Sequence, residues 1–298
     1  MKWLTMLWSK IPRFWRLVGP GLLLALTVVA FLQGRPDGRL HLFFFPVGQG
    51  NGILVVTPAG RTLLIDGGPD ATALLTGLGR QRPFWSRELD WVILTETASE
   101  RLAGPVTVLE RYRVAAAGRP GRVREGAGWE RWSALLAGMG VEPLPLTQGG
   151  RLEFGDGVML EVLHPGAVPL SGVTPGGRDD ALVMRLCYQD VCALLPPAAG
   201  PASQQALLGC GRPLTAAVLL VPRQGEERSL DKVFLKEVSP KITIVSAGNE
   251  RFTGVDARVL DMLRAVGATI YRTDKQGTVE VVTDGERVWV YTERRGGE

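Results

Sequence analysis

The chain has 298 residues, 45% of them hydrophobic, which is enough to bury a sizeable core and excludes disorder by composition. Its three cysteines, Cys187, Cys192 and Cys210, exclude a disulfide-stapled miniature scaffold, and its two histidines, His41 and His164, are too few for a histidine-rich metal centre. The formal net charge of +4 sits entirely in residues 1–16; the remaining 30 basic and 30 acidic residues balance, which excludes a generally basic nucleic-acid-binding body.

In chain order, residues 1–16 form a basic leader carrying Lys2, Lys10, Arg13 and Arg16, with Trp3, Trp8 and Trp15 suited to a membrane interface. Residues 17–34 carry no charge, and their length fits either a single transmembrane anchor or a signal peptide cleaved after Val28-Val29-Ala30. Either way the preceding positive charges hold the N-terminus in the cytoplasm and place the rest outside: a single-pass membrane protein, or a secreted one after cleavage. Residues 35–39, with Pro36 and Gly38, read as a linker, and 40–298 as one globular domain.

That domain opens with three strand patterns, at 40–45, 52–57 and 61–65. Alternating elements follow: helix 71–80, strand 90–94, helix 100–112, strand 113–116 and helix 128–139. A second pass predicts strands at 152–154, 158–163, 181–186 and 191–195, helix 201–208, strand 216–221 and helix 230–238. The chain then ends on strand 242–246, helix 255–266 and strands near 269–271, 278–283 and 287–292. Two successive blocks of this kind predict a four-layer α/β/β/α sandwich. The hairpin turning at Gln189-Asp190 sets Cys187 opposite Cys192, as either a cross-strand disulfide or two free buried thiols.

The run Phe43-Phe44-Phe45-Pro46-Val47-Gly48-Gln49-Gly50-Asn51-Gly52, followed by Ile65-Asp66-Gly67-Gly68, resembles the opening of the ComEC-type metallo-β-lactamase-like family of DNA-uptake competence proteins. Val221-Pro222-Arg223-Gln224-Gly225 is similar to that family's V-P-H-H-G. Pro240-Lys241-Ile242-Thr243-Ile244-Val245-Ser246-Ala247-Gly248-Asn249 and Tyr271-Arg272-Thr273-Asp274-Lys275-Gln276-Gly277 are similar to its later motifs, so the likeness covers roughly residues 40–290. The resemblance implies the metallo-β-lactamase fold and a divalent-metal site.

Where the family carries T-H-x-H-x-D-H, this chain has Thr95-Glu96-Thr97-Ala98-Ser99-Glu100-Arg101. The later ligand positions are similarly lost, at Pro197, at Arg223 or Gln224, and at Val255. Alanine and proline offer no ligand and arginine brings a permanent charge, so the expectation is a degenerate pocket (Asp66, Glu96, Ala98, Glu100, Arg101, Pro197, Arg223, Gln224, Val255) with no catalytic residue, no metal and no cofactor. Arg101 and Arg223 are expected to pair with the local acids.

The rival reading sets Glu96 and Glu100 at i and i+4 of a helix, with Asp66, as a carboxylate site for a hard cation in a divergent hydrolase. The expected role of the pseudoenzyme is binding or scaffolding. Its partner is either DNA, through Arg119, Arg122 and Arg124 in a mobile loop at 118–128, or a protein without nucleic acid. No small-molecule substrate is identifiable.

Overall fold

The computed structural model describes residue 21 and residues 36–82, 86–98, 101–172, 174, 176–248 and 254–294. The leader and, apart from Gly21, the uncharged segment at 17–34 therefore lie outside the described residues, as do Ser99 and Glu100. Among the described residues no helix is long and apolar enough to cross a membrane.

Residues 37–298 form one compact unit built on strict two-residue alternation. In β1 (Leu40–Phe44), Leu40, Leu42 and Phe44 face one way, while Phe43, with Phe45 just beyond, faces the other. A strand that is apolar on both faces needs a layer on each side. The pattern repeats in β2 (Gly52–Val56), where Ile53 and Val55 oppose Leu54, and in β3 (Thr62–Asp66), where Leu63 and Ile65 oppose Leu64.

The first sheet continues through β4 (Glu88–Ile93), β5 (Arg113–Pro120) and β6 (Leu144–Leu146). The second holds β7 (Arg151–Glu153), β8 (Val158–His164), β9 (Val183–Tyr188), β10 (Val191–Leu195), β11 (Val218–Leu220), β12 (Ile242–Val245) and β13 (Thr269–Arg272). The chain ends by returning to the first sheet with β14 (Val279–Thr283) and β15 (Val288–Thr292), giving the order β15-β14-β1-β2-β3-β4-β5-β6. The second sheet runs β13-β12-β11-β10-β9-β8-β7.

Strands β3 to β6 run parallel and need crossovers, which helices supply. These are α1 (Ala71–Gln81), α2 (Ala103–Leu109) and α3 (Ala127–Gly138). Their Leu74, Leu78, Val108, Trp132 and Leu136 cover the outer face of the first sheet. On the second sheet, α4 (Pro201–Leu208), α5 (Lys232–Val238) and α6 (Ala257–Ala265) place Leu207, Phe234, Leu235, Val259 and Leu263 over Leu194, Leu219, Val221 and Val245. A single helical turn, α7 (Thr273–Gln276), precedes β14. Asp70, Asp231 and Asp256 cap α1, α5 and α6 with their carboxylates. Between the sheets Leu42, Phe44, Ile65, Leu160, Leu186, Leu195 and Leu220 form the central core. Four layers result, helices outside and sheets within. Each fully buried leucine contributes about 2 kcal/mol of transfer free energy.

Several expected boundaries move. The helix expected from residue 100 starts at Ala103, with Pro105 in its first turn, where a missing N–H costs nothing. Strand β5 extends to Pro120, so the expected mobile loop at 118–128 begins as ordered strand. Strand β9 starts at Val183 because Leu182 N–H donates instead to Thr95 O at 2.8 Å, tying one sheet to the other. The short β6 has no signal in the sequence, since Pro145 in its middle suits only an edge strand.

Candidate functional site

The parallel strands β3 and β4 end side by side, and the segments leaving them carry the first set of expected site residues. Asp66 closes β3 with φ 55°, a left-handed conformation that a non-glycine residue adopts only when its surroundings impose it. Its carboxylate accepts from Thr95 N–H at 2.8 Å and from Thr95 Oγ1 at 2.5 Å, clamping the exit of β4. Burial pushes the Asp66 carboxyl up to about 7, against the lowering effect of these two bonds, and neighbouring Glu96 adds to the rise.

Close approach of the two chain segments here needs glycine: at Gly104 a Cβ would collide with the Gly67 carbonyl oxygen, and Gly104 N–H donates to Gly68 O at 3.0 Å. Beside that turn, Arg101 Nη1 lies 3.0 Å from Glu96 Oε1, and the two side chains are only 11% and 7% exposed. Asn51, Asp66, Gly68, Glu96, Arg101 and Leu102 line a residual cavity of about 10 Å³, hardly room for one water. Asn51 Oδ1 has no hydrogen-bond partner among the described residues. Ala98 is buried and contributes only its carbonyl, which accepts from Arg101 N–H at 2.9 Å.

A second cluster forms where β10 and β11 end. Arg223 and Gln224 sit in the 3-10 turn Pro222–Gly225 with φ 49° and 54°, two consecutive left-handed non-glycine residues. Arg223 N–H donates to Pro197 O at 2.9 Å, its Nε to Ala198 O at 3.1 Å and its Nη2 to Asp179 Oδ2 at 2.8 Å. The other Asp179 oxygen accepts from Gly200 N–H at 2.8 Å and Ser203 Oγ at 2.9 Å, so Asp179 also caps the start of α4. Gln224 is buried with Nε2 unpartnered among the described residues, and Val255 packs against Gly225.

The expected single ion-pair network is therefore two. Arg101 pairs with Glu96 as anticipated, but Arg223 turns to Asp179, a residue the sequence reading passed over. An uncompensated arginine in a buried turn demands an acid, and Asp179-Asp180 is the adjacent acidic pair that was there to be found. Of the pair expected at i and i+4, Glu96 lies in the loop before α2 and Glu100 falls outside the described residues.

The Arg-rich segment is likewise corrected. Arg122 is an internal tie: it forms a bidentate ion pair with Asp180, which is 1% exposed, and donates to Gly166 O and Ala167 O, each at 3.2 Å. Arg119 donates to Pro120 O at 3.0 Å. Arg124 is exposed and lines, with Arg178 and Asp179, an open hollow of about 500 Å³. The Arg124 backbone N–H is held by Thr97 Oγ1 at 2.6 Å.

Neither histidine lines the cavity. His41 bridges Asp37 and Glu280 at 3.0 and 2.7 Å, and His164 donates from Nε2 to Asp179 O at 2.9 Å. The linker is thus pinned from Asp37 onward, and Arg39 also lies over the Trp289 ring. Cys187 and Cys192 face each other across the hairpin and are joined by a disulfide.

The fold implies a divalent metal at the strand ends, and the donors do not suit one. Zinc and iron sites need imidazole, thiolate or several convergent carboxylates. Among the described residues the cavity offers two carboxylates, Asp66 and Glu96, the latter paired with a guanidinium at 3.0 Å. Among the described residues no group of three His, Cys, Asp or Glu side chains could hold a metal ion.

Two facing sheets in this order, flanked by helices, with the site at the ends of β3, β4, β10 and β11, define the metallo-β-lactamase fold. The structure is similar to YhfI from Bacillus subtilis, a metallo-β-lactamase-fold protein (TM-score 0.52, 14% identity, covering 85% of this chain and 100% of that one). It is also similar to CmlA, a diiron β-hydroxylase from Streptomyces venezuelae (TM-score 0.51, 13% identity, 80% of this chain and 53% of that one). In sequence the chain is similar to ComE operon protein 3 of Bacillus subtilis (strain 168), with 24% identity over 253 residues, 78% of this chain and 32% of that protein. The chain thus spans about a third of the length of that relative. No protein-family model matches it.

Proposed function

We propose that this chain is a catalytically silent relative of ComE operon protein 3, held at the outer face of the membrane by residues 17–34 and acting there as a binding or scaffolding domain in DNA uptake. The observation that carries the reading is the Glu96–Arg101 ion pair: a fixed cation lies against the remaining carboxylates where the fold otherwise gathers metal ligands. Without a metal to lower the pKa of bound water, this site has no hydrolytic nucleophile. The connection to DNA uptake rests on the likeness to ComE operon protein 3.

Metal analysis of the full chain, purified in detergent without added salts, tests the silent site. The expected result is no stoichiometric zinc, iron or manganese, and no phosphodiester hydrolysis when those ions are supplied. One or two equivalents that disappear in Glu96→Ala would overturn it and restore the divergent hydrolase.

DNA is the partner we assign, and the exposed Arg124 and Arg178 at the open hollow, the latter also in a surface ion pair with Glu226 at 3.2 Å, are the contact groups, in place of the internally tied Arg122. Duplex binding should weaken with salt, and Arg124→Ala with Arg178→Ala should reduce the log–log salt slope by about 0.9 per contact removed. Absence of binding at low salt, or an unchanged slope, would transfer the role to a protein partner.

A further inference from the structure

An open cleft lies at the other end of the first sheet from the degenerate pocket. It has a volume of about 860 Å³ and is lined by Arg87, Arg111, Arg113, Tyr112, Glu88 and Glu110 among others. Arg87 and Glu88 open β4, and Arg113 opens β5, with Arg113 N–H donating to Arg87 O at 2.8 Å. The three arginines are exposed and take part in none of the ion pairs among the described residues. Glu110 is already engaged by Arg131 at 2.9 Å, which leaves Glu88 as the nearby counter-charge.

Behind the arginines, Arg82 is partly buried and donates to Ser86 Oγ at 2.5 Å. Its Nε is enclosed without an acceptor, and no carboxylate pairs with it among the described residues. Burial disfavours the charged form of Arg82 and the nearby Asp90 and Glu88 offset this only in part, so an anion at the cleft would stabilise this corner further.

The topology says which face this is. Strand β1 is antiparallel to β2 and β2 to β3, while β3, β4 and β5 are parallel, so β1, β4 and β5 all start at the same end of the sheet. The chain enters the unit at Asp37 and begins β1 at Leu40, three to four strand spacings, roughly 15–20 Å, from the arginine cleft. In the sequence the uncharged segment ends at residue 34, three residues before Asp37, a reach of about 10 Å at most.

We propose that the Arg87–Arg111–Arg113 cleft binds the phosphate headgroups of anionic lipids, seating this end of the domain on the bilayer and leaving the end with the degenerate pocket free. The proposal rests on the tether assigned above. Three unpaired arginines match a phosphate-bearing surface in charge, and the planar guanidinium donates two hydrogen bonds to each phosphate.

The test is hydrogen exchange on the full chain in lipid nanodiscs of phosphatidylglycerol with phosphatidylcholine, compared with phosphatidylcholine alone. Amides at 86–88 and 109–114 should exchange more slowly in the anionic discs. The difference should vanish when salt rises from about 0.05 to 0.5 M, because the screening length falls severalfold. Arg87→Ala, Arg111→Ala and Arg113→Ala combined should erase it, and the three Arg→Lys changes should retain part of it.

Equal exchange of the wild-type chain in both lipids overturns the proposal whether or not the variants fold, as does protection of the same amides by duplex DNA but not by anionic lipid. Failure of the tether reads out separately: the full chain would then appear in the soluble fraction after alkaline extraction of membranes, whatever the lipid charge.

Discussion

At the scale of single residues, two buried aspartates pull stability in opposite directions with pH. Asp66 is raised to about 7 from an ordinary 3.8, so the folded state holds its proton over a range in which the unfolded chain has lost it. Its contribution is therefore present at acid pH and is lost as pH rises from about 4 towards 7. The loss is at most about 4 kcal/mol and is reduced by the solvent that still reaches the group. Asp180 is the reverse case: burial would raise it, but the Arg122 ion pair and Gly176 N–H hold it below its ordinary value. The stability it gives is present above about 4 and lost as pH falls further.

Denaturant titrations at several pH values should show Asp66→Asn flattening the slope between pH 4 and 7, and a slope that survives the change would place the titration elsewhere. Arg122→Ala strands a carboxylate that is 1% exposed and should cost about 3–5 kcal/mol. A loss below about 1 kcal/mol would mean that water reaches Asp180 once the guanidinium is gone.

At the scale of elements, the β9–β10 hairpin joins Cys187 to Cys192, both mostly buried on the helix-covered face of the second sheet. Thiol titration of the denatured, unreduced protein should count one reactive thiol, Cys210, rising to three after reduction; three at the outset would mean free thiols across the hairpin. This register was legible because strands of clear alternation flank a short turn, and the same alternation made the double-faced strands β1 to β3 and the four layers legible.

The legible part of the site was residue type, since Ala98, Arg101, Pro197 and Arg223 offer no metal ligand whatever the fold does with them. The pairings these residues make were less legible. The pairing of Arg223 with Asp179 spans 44 positions, and that of Arg122 with Asp180 spans 58, and no local pattern encodes such distances. Strand β6 stayed hidden for a similar reason, because Leu144-Pro145-Leu146 becomes a strand only through pairing with the end of β5.

At the scale of the whole molecule, the proposed tether makes a claim about which side of the membrane the domain faces. Four positive charges precede an uncharged segment and no acid accompanies them, the arrangement that retains an N-terminus in the cytoplasm. The unit that follows is close to neutral in sum, so nothing in its net charge opposes export. It also contains a disulfide, which persists in an oxidising compartment and is rare in a reducing one.

The leader and the second sheet bear on this independently, and both favour the proposal that residues 37–298 face outward. Protease added to intact cells stripped of their wall should therefore degrade the domain and leave a small N-terminal fragment with the membrane. Recovery of the intact chain after such treatment, with degradation only once the membrane is lysed, would mean that the domain faces the cytoplasm. The arginine cleft would then meet the inner leaflet, and the disulfide would have to form against the reducing poise of that compartment.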